Sequence, residues 1–138
     1  MAAVALDADV VIAFLDAADD QHQRAVALLR PSLAAGDDIL VAASVYAEVM
    51  VRPLERGSAD VVDDFIDGIG ARVVAIDRGI ARRAAELRAS HRRLRLPDAI
   101  SLATALATGA RLLTLDRRLK QIAGRASASG AGGPPGSP

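Results

Sequence analysis

The sequence has no cysteine and no tryptophan, one tyrosine, two phenylalanines, two histidines and a single lysine. Without cysteine there can be no disulfide, no zinc–thiolate centre and no cysteine nucleophile. Two histidines, His22 and His91, are too few for a histidine-rich metal site. No apolar run approaches the roughly 20 residues of a membrane span, and the first residues lack the basic start of a signal peptide. The default expectation is a soluble, cytoplasmic protein with no membrane partner. Aromatics make up 2% of the chain and hydrophobic residues 51%, so the core must be built from Ala, Val, Leu and Ile. A length of 138 residues suggests one domain with room for such a core. Net charge is zero, but its distribution is uneven: sixteen of the seventeen basic residues are Arg, many of them in residues 78–118. Acids crowd residues 7–20 and 60–67. Arg is the side chain best shaped to grip phosphate.

Residues 94–119 carry the clearest signal. Pro97 and Asp98 suit the first turn of a helix, where proline's missing N–H costs nothing and an acid meets the positive end of the dipole. Small and apolar residues follow to Thr108, and Gly109 provides a C-terminal stop. Residues 111–115 then read as a buried strand ending at Asp116.

The rest of the chain alternates in the same way. Residues 3–6, 39–43 and 72–76 read as strands. Helices are predicted from Val10 with Asp9 as N-cap, over 21–35 with a kink or break at Pro31, over 44–54 with Ser44 as N-cap, after Ser58, and over 78–91 after Asp77. Alternating strands and helices of these lengths predict an α/β fold, a parallel sheet flanked by helices in a single domain over residues 1–123. Residues 124–138 are Ala, Ser, Gly and Pro apart from Arg125, and predict a disordered tail.

Four acids then fall at the carboxyl edge of the predicted sheet, the edge where open α/β folds place their sites. Asp7 ends the first strand, Glu48 lies a turn beyond the second, Asp98 heads a helix and Asp116 ends the last strand. Read singly, each is a helix cap or a solvated residue. Together they would repel strongly unless a cation neutralised them. Oxygen ligands without His or Cys point to Mg²⁺ or Mn²⁺. Thr114 stands two residues before Asp116, where its hydroxyl can orient that carboxylate or a water. His22, Asp19, Asp20, Asp63, Asp64 and Asp67 read as surface residues; Arg82, Arg83, Arg88, Arg92, Arg93 and Arg95 read by default as a solvated face, the alternative being contact with a substrate's phosphate backbone.

Four segments in this order and spacing resemble the PIN-domain ribonucleases, and within them the VapC toxins of bacterial toxin–antitoxin pairs. They are LDADVVIAFLD (6–16) with Asp19-x-x-His22-x-x-Ala25, SVYAE (44–48), LPDAISLATAL (96–106) and LTLD (113–116). The resemblance runs from Val4 to Ala123. It implies catalytic acids at Asp7, Glu48, Asp98 and Asp116, with Asp7 and Asp98 as metal ligands and Thr114 as an auxiliary hydroxyl. It also implies Mg²⁺-dependent hydrolysis of an RNA substrate, a homodimer, and a cognate antitoxin covering the catalytic groove. One position departs from the family pattern: Asp9 stands where Ser, Thr or Asn is usual, and either caps the helix equally well or adds a fifth negative charge to the site.

Two alternatives remain. A haloacid-dehalogenase-type phosphatase fits Asp7-x-Asp9 and Ser44, but it needs a Lys ahead of its final acid, and Lys120 follows Asp116. A catalytically silent PIN domain that only binds RNA or protein fits the fold, though all four acids are present.

Overall fold

A tight succession of short strands and longer helices follows from the small-residue composition. The computed structural model describes residues 2–131. In order these are β1 (Ala3–Leu6), α1 (Ala8–Leu15), α2 (His22–Ala35), β2 (Asp38–Ala42), α3 (Ala43–Arg56), α4 (Ala59–Gly68), β3 (Arg72–Val74), α5 (Arg78–Ser90), α6 (Leu96–Thr108), β4 (Arg111–Leu113) and α7 (Arg117–Ala131). The four strands form one parallel sheet in the order β3-β2-β1-β4. The expected parallel α/β architecture is therefore present. β1 is central, and the order reverses beside it: the chain first builds outward through β2 and β3, then returns to add β4 on the other side. Such a reversal opens a crevice at the carboxyl ends of the strands.

Strand residues alternate between the faces, as the period of two requires. Val4, Leu6, Ile39, Val41 and Leu113 face one side, packing with Val10, Val11, Leu29, Val45, Val62 and Ile66 from α1 to α4. Ala5 and Leu40 face the other, against Ala105 of α6. Beyond them α5, α6 and α7 share a second cluster of Ile80, Ala84, Leu87, Leu102, Ala103, Leu119 and Ile122. The alanines of α6 bring that helix close to β1, which fixes the height of its N-terminus above the sheet.

Several boundaries differ from those the sequence predicts, each for a local reason. Asp7, not Asp9, caps α1; its carboxylate accepts from the Ala8 N–H at 3.0 Å, and the helix begins one residue earlier than Asp9. Ser44 is not a cap either. The helix starts at Ala43, so Ser44 lies inside the first turn with its hydroxyl buried and unpartnered among the described residues. Ser58 holds the N-cap position of α4 without a side-chain bond. α2 continues through Pro31 unbroken and ends at Gly36, whose N–H bonds to Leu33. Gly109 adopts φ 68°, a left-handed conformation that disfavours L side chains, and turns α6 directly into β4.

The largest difference is α7. Composition predicts a disordered tail from Gly124, whereas the helix runs through Gly124 to Ala131. Leu119 and Ile122 stand three residues apart on one face and bury against α5 and α6. The following Ala and Ser residues supply enough helix propensity to continue it. The remainder of the expected tail, residues 132–138, lies outside the described residues. Leu119 is 1% exposed, so Leu119→Ala is expected to cost about 2–5 kcal/mol through lost burial and a cavity. Urea denaturation checks this; a loss under about 1 kcal/mol would mean that α7 packs only loosely.

Candidate active site

Asp7 sits at the end of the central strand and is 4% exposed. Its Oδ1 accepts from the Ala8 N–H at 3.0 Å and its Oδ2 from the Thr114 hydroxyl at 2.9 Å. Leu113 O also accepts from the Asp7 N–H at 3.0 Å, so β4 braces Asp7 from backbone and side chain together. Proximity in sequence suggests that the Thr114 hydroxyl orients the Asp116 carboxylate. Instead it serves Asp7, while its oxygen accepts from the Asp116 N–H at 3.2 Å.

Asp9 lies in the first turn of α1 and reaches back to the end of β4. Its Oδ2 accepts from the Leu115 N–H at 3.1 Å and lies 3.3 Å from the Thr114 hydroxyl. One hydroxyl proton cannot fully serve both acids, and the shorter contact belongs to Asp7. β4 ends at Leu113, and the two residues after it make these bonds. Asp9 Oδ1 is buried without a partner among the described residues.

Three of the predicted acids share one electrostatic environment. Burial pushes the Asp7 carboxyl above its ordinary value, against the pull of the Thr114 and Ala8 bonds, and the charge of Asp98 raises it further. Glu48 is raised by partial burial and then by the charges of Asp7 and Asp98. Asp9 is pushed up to about 6, mainly by burial and next by Asp7. Asp98 stands in the first turn of α6 and pairs with Arg95, whose Nε lies 3.4 Å from Oδ2. Arg95 also lowers Glu48, so a single guanidinium neighbours two of the acids. Asp116 is engaged differently. Its Oδ1 accepts from the Arg118 and Leu119 N–H groups at 2.9 and 3.2 Å, capping α7. With Asp9, Ile12, Arg24 and Leu115 it lines an adjoining surface groove.

Two residues at the site are not apparent from the sequence alone. Arg95 belongs to a run of arginines that reads as a solvated face. Ser101 is buried one turn beyond Asp98, donates to the Pro97 carbonyl at 3.2 Å and lowers Asp7. The Asp98-x-x-Ser101 spacing, which places both on one helical face, was the available signal. His22 and Asp63 are also not simply surface residues. His22 Nδ1 meets the Ala13 carbonyl at 2.8 Å and ties α2 to α1, while Asp63 accepts from the Tyr46 hydroxyl at 2.6 Å and ties α4 to α3.

Among the described residues no three His, Cys, Asp or Glu side chains gather closely enough to enclose a cation by themselves. The donor set nevertheless suits a hard cation. Every candidate ligand is oxygen, and each carboxylate has lone pairs beyond those used by its protein donors. Mg²⁺ is commonly held by one or two carboxylates while keeping several waters. The uncompensated charge around Asp7 and the orphaned Asp9 oxygen fit such an ion.

The raised acids set a pH dependence. A carboxyl whose folded value lies above its unfolded value binds more protons when folded, so stability falls as pH rises through that window. For Asp9 the window runs from the ordinary 3.8 to about 6. The metal-free protein is therefore expected to melt several degrees higher at pH 5 than at pH 7.5, and Asp9→Asn should flatten that difference. Calorimetric scans at the two pH values in EDTA check it; equal slopes for wild type and Asp9→Asn would contradict the assignment.

Comparison with known proteins bears on the fold. Crystal structures of similar fold include VapC20 of Mycobacterium tuberculosis, a sarcin–ricin loop cleaving toxin, with TM-score 0.67 and 19% identity over 92% of this chain and 95% of that one. VapBC2 of Rickettsia felis, bound to a DNA fragment from its promoter, gives TM-score 0.67 and 17% identity over 87% and 92%. FitAcB of Neisseria gonorrhoeae gives 0.66 and 21% over 88% and 93%. No curated protein matches the sequence. The PIN domain family model matches residues 4–125, a span that takes in every acid of the site, and the chain belongs to the PIN domain family.

Proposed function

We propose that this protein is a metal-dependent endoribonuclease, a VapC-type toxin restrained by a cognate antitoxin. The observation that carries the reading is the mutual influence of Asp7, Glu48 and Asp98 at the carboxyl edge of the sheet. Three carboxylates brought into one another's field weaken a fold unless they serve a bound cation. Mg²⁺ or Mn²⁺ would be held by Asp7 and Asp98, the two least exposed of the three. Bound there, the metal supplies an acidified water and a polarised phosphoryl oxygen.

The chain's own residues do the rest. Thr114 fixes the Asp7 rotamer through its 2.9 Å bond, and Ser101 lies beside Asp7 on α6. Glu48 is exposed, accessible to solvent, and has a raised proton affinity, which suits it to accept a proton from the attacking water. Asp116 caps the start of α7, and on this reading it is the fourth acid, acting from outside the group of three that influence one another. The phosphatase alternative has less support, because its chemistry needs a Lys ahead of the final acid and the single Lys, Lys120, follows Asp116.

A homodimer and an antitoxin segment lying in the groove complete the proposal. Support for an antitoxin comes from similar structures described as toxin–antitoxin assemblies, among them one from Klebsiella pneumoniae with TM-score 0.63. The test is cleavage of RNA by the purified chain in Mg²⁺, in Mn²⁺ and in EDTA. Cleavage with either metal and none in EDTA is expected; cleavage that persists in EDTA would refute the metal-dependent reading. A protein that binds metal and RNA without cutting any RNA supplied would be the silent PIN domain.

A further inference from the structure

We infer that a second surface, the groove between the α5–α6 loop and α7, holds the phosphodiester backbone of RNA beside the cleavage site. The inference rests on the nuclease reading for its direction but on separate residues for its chemistry. Arg92, Arg93, Arg118 and Arg125 surround a groove of about 260 Å³ whose floor is Leu94 and Ile122. All four guanidinium groups belong to exposed residues, and the two floor residues are buried. No carboxylate lines the groove.

Among the described residues, Arg72 pairs with Asp38, Arg82 and Arg83 with Glu86, and Arg95 with Asp98. None of the four groove arginines has a carboxylate of the described residues within ion-pair distance. Lacking an ion pair is not special to these four, since eight arginines elsewhere have none among the described residues either; what sets the groove apart is that four unpaired arginines meet on one concave surface with no carboxylate in its lining. A chain with zero net charge has thus concentrated four uncompensated positive charges on one concave surface. That arrangement disfavours the empty state and favours a polyanion.

Position identifies which polyanion. Arg93 precedes Arg95, the partner of Asp98, by two residues, and Arg118 follows Asp116 by two. Both walls of the groove therefore leave from the carboxyl edge that carries the acids. A strand with one phosphate at the acids would extend its neighbouring phosphates over these arginines. Arg forks match phosphate oxygens bidentately. No Phe, Tyr or Trp lines the groove, so it lacks a broad stacking platform, and binding there is expected to ignore sequence and to weaken steeply with salt.

The experiment measures binding of a fluorescently labelled, mixed-sequence single-stranded RNA by anisotropy in EDTA, over a range of KCl concentrations. The proteins compared are wild type, the quadruple variant R92A/R93A/R118A/R125A, its Arg→Lys counterpart, and R82A/R83A as a control for loss of paired surface charge. The slope of log K against log salt is expected to fall by about 3 in the quadruple Ala variant, from about 0.7 for each of four lost phosphate contacts. The Lys variant should keep most of the slope, and R82A/R83A should keep nearly all of it. Thermal unfolding should be unchanged, because the four side chains are exposed. A quadruple Ala variant with the wild-type slope overturns the inference, as does one no weaker than R82A/R83A. Loss of an acidic protein partner with RNA binding intact would likewise overturn it, assigning the groove to that partner. The two proposals fail separately: groove-dependent binding in EDTA without cleavage in Mg²⁺ defeats only the nuclease reading, and cleavage with groove-independent binding defeats only this one.

Discussion

Asp7→Asn should reduce RNA cleavage by about 10²–10³-fold or more, the loss typical of removing one electrostatic contributor to a transition state, while the metal-free protein becomes more stable. Both effects follow from the same carboxylate. It is 4% exposed and lies in the field of Asp98, so its charge is costly until a cation is bound. Asparagine can keep the local bonds. Its Oδ1 can accept from the Ala8 N–H, and its Nδ2 can donate to the Thr114 oxygen where the acid accepted the hydroxyl proton. What asparagine cannot supply is negative charge. Asp98→Asn should act in the same direction. Cleavage assays and thermal scans in Mg²⁺ and in EDTA check the pair of effects; full activity in either variant would remove that residue from the catalytic set.

Expression of the wild-type chain without an antitoxin should arrest growth, and Glu48→Ala should be tolerated. The acids lie at the open carboxyl edge of a four-stranded sheet, where a flexible single strand can approach. If the chain is the nuclease proposed, its open site calls for restraint by another molecule. Glu48 is the informative residue because it is exposed, makes no hydrogen bond or ion pair among the described residues, and has an affinity for protons raised by Asp7 and Asp98. Replacing it with Ala in mid-helix should cost little stability, so loss of toxicity would report chemistry rather than unfolding. Colony counts on inducing plates measure this. A harmless wild type removes the toxin reading, and a Glu48→Ala variant as harmful as wild type removes the role of Glu48.

Much of this site is legible in the chain because its carriers are local. Pro97 and Asp98 mark a helix start, Gly109 marks its end, and Asp116 follows a short apolar run; each signal lies within a few residues of its effect. The parallel sheet follows from strands and helices in alternation. Part of what the sequence does not disclose depends on pairings distant along the chain. Asp7 and Asp9 are equally good caps by residue type, and the choice between them is made by Thr114 and Leu115, more than 100 residues later. Thr114 reads from the sequence as a partner of the nearby Asp116 carboxylate, but its hydroxyl donates to Asp7 at the end of the neighbouring strand. Ser44 loses its cap role because the N-cap of α3 is Ala42, two residues before it. α7 is hidden because Ala, Ser and Gly resemble a linker by composition, although Leu119 and Ile122 already carry a helical spacing. Arg95 looks like one more solvated arginine until the fold brings it to Asp98.

If Asp7 and Asp98 make a divalent-cation site, metal binding reveals it most directly, because the result does not depend on finding the right RNA. Calorimetric titration of Mg²⁺ and Mn²⁺ into the wild-type protein, Asp7→Asn and Asp98→Asn, all at pH 7.5, makes the comparison. Saturable binding in the wild type that is lost in both variants is the predicted result; absence of binding in the wild type, or equal binding in all three proteins, would contradict it.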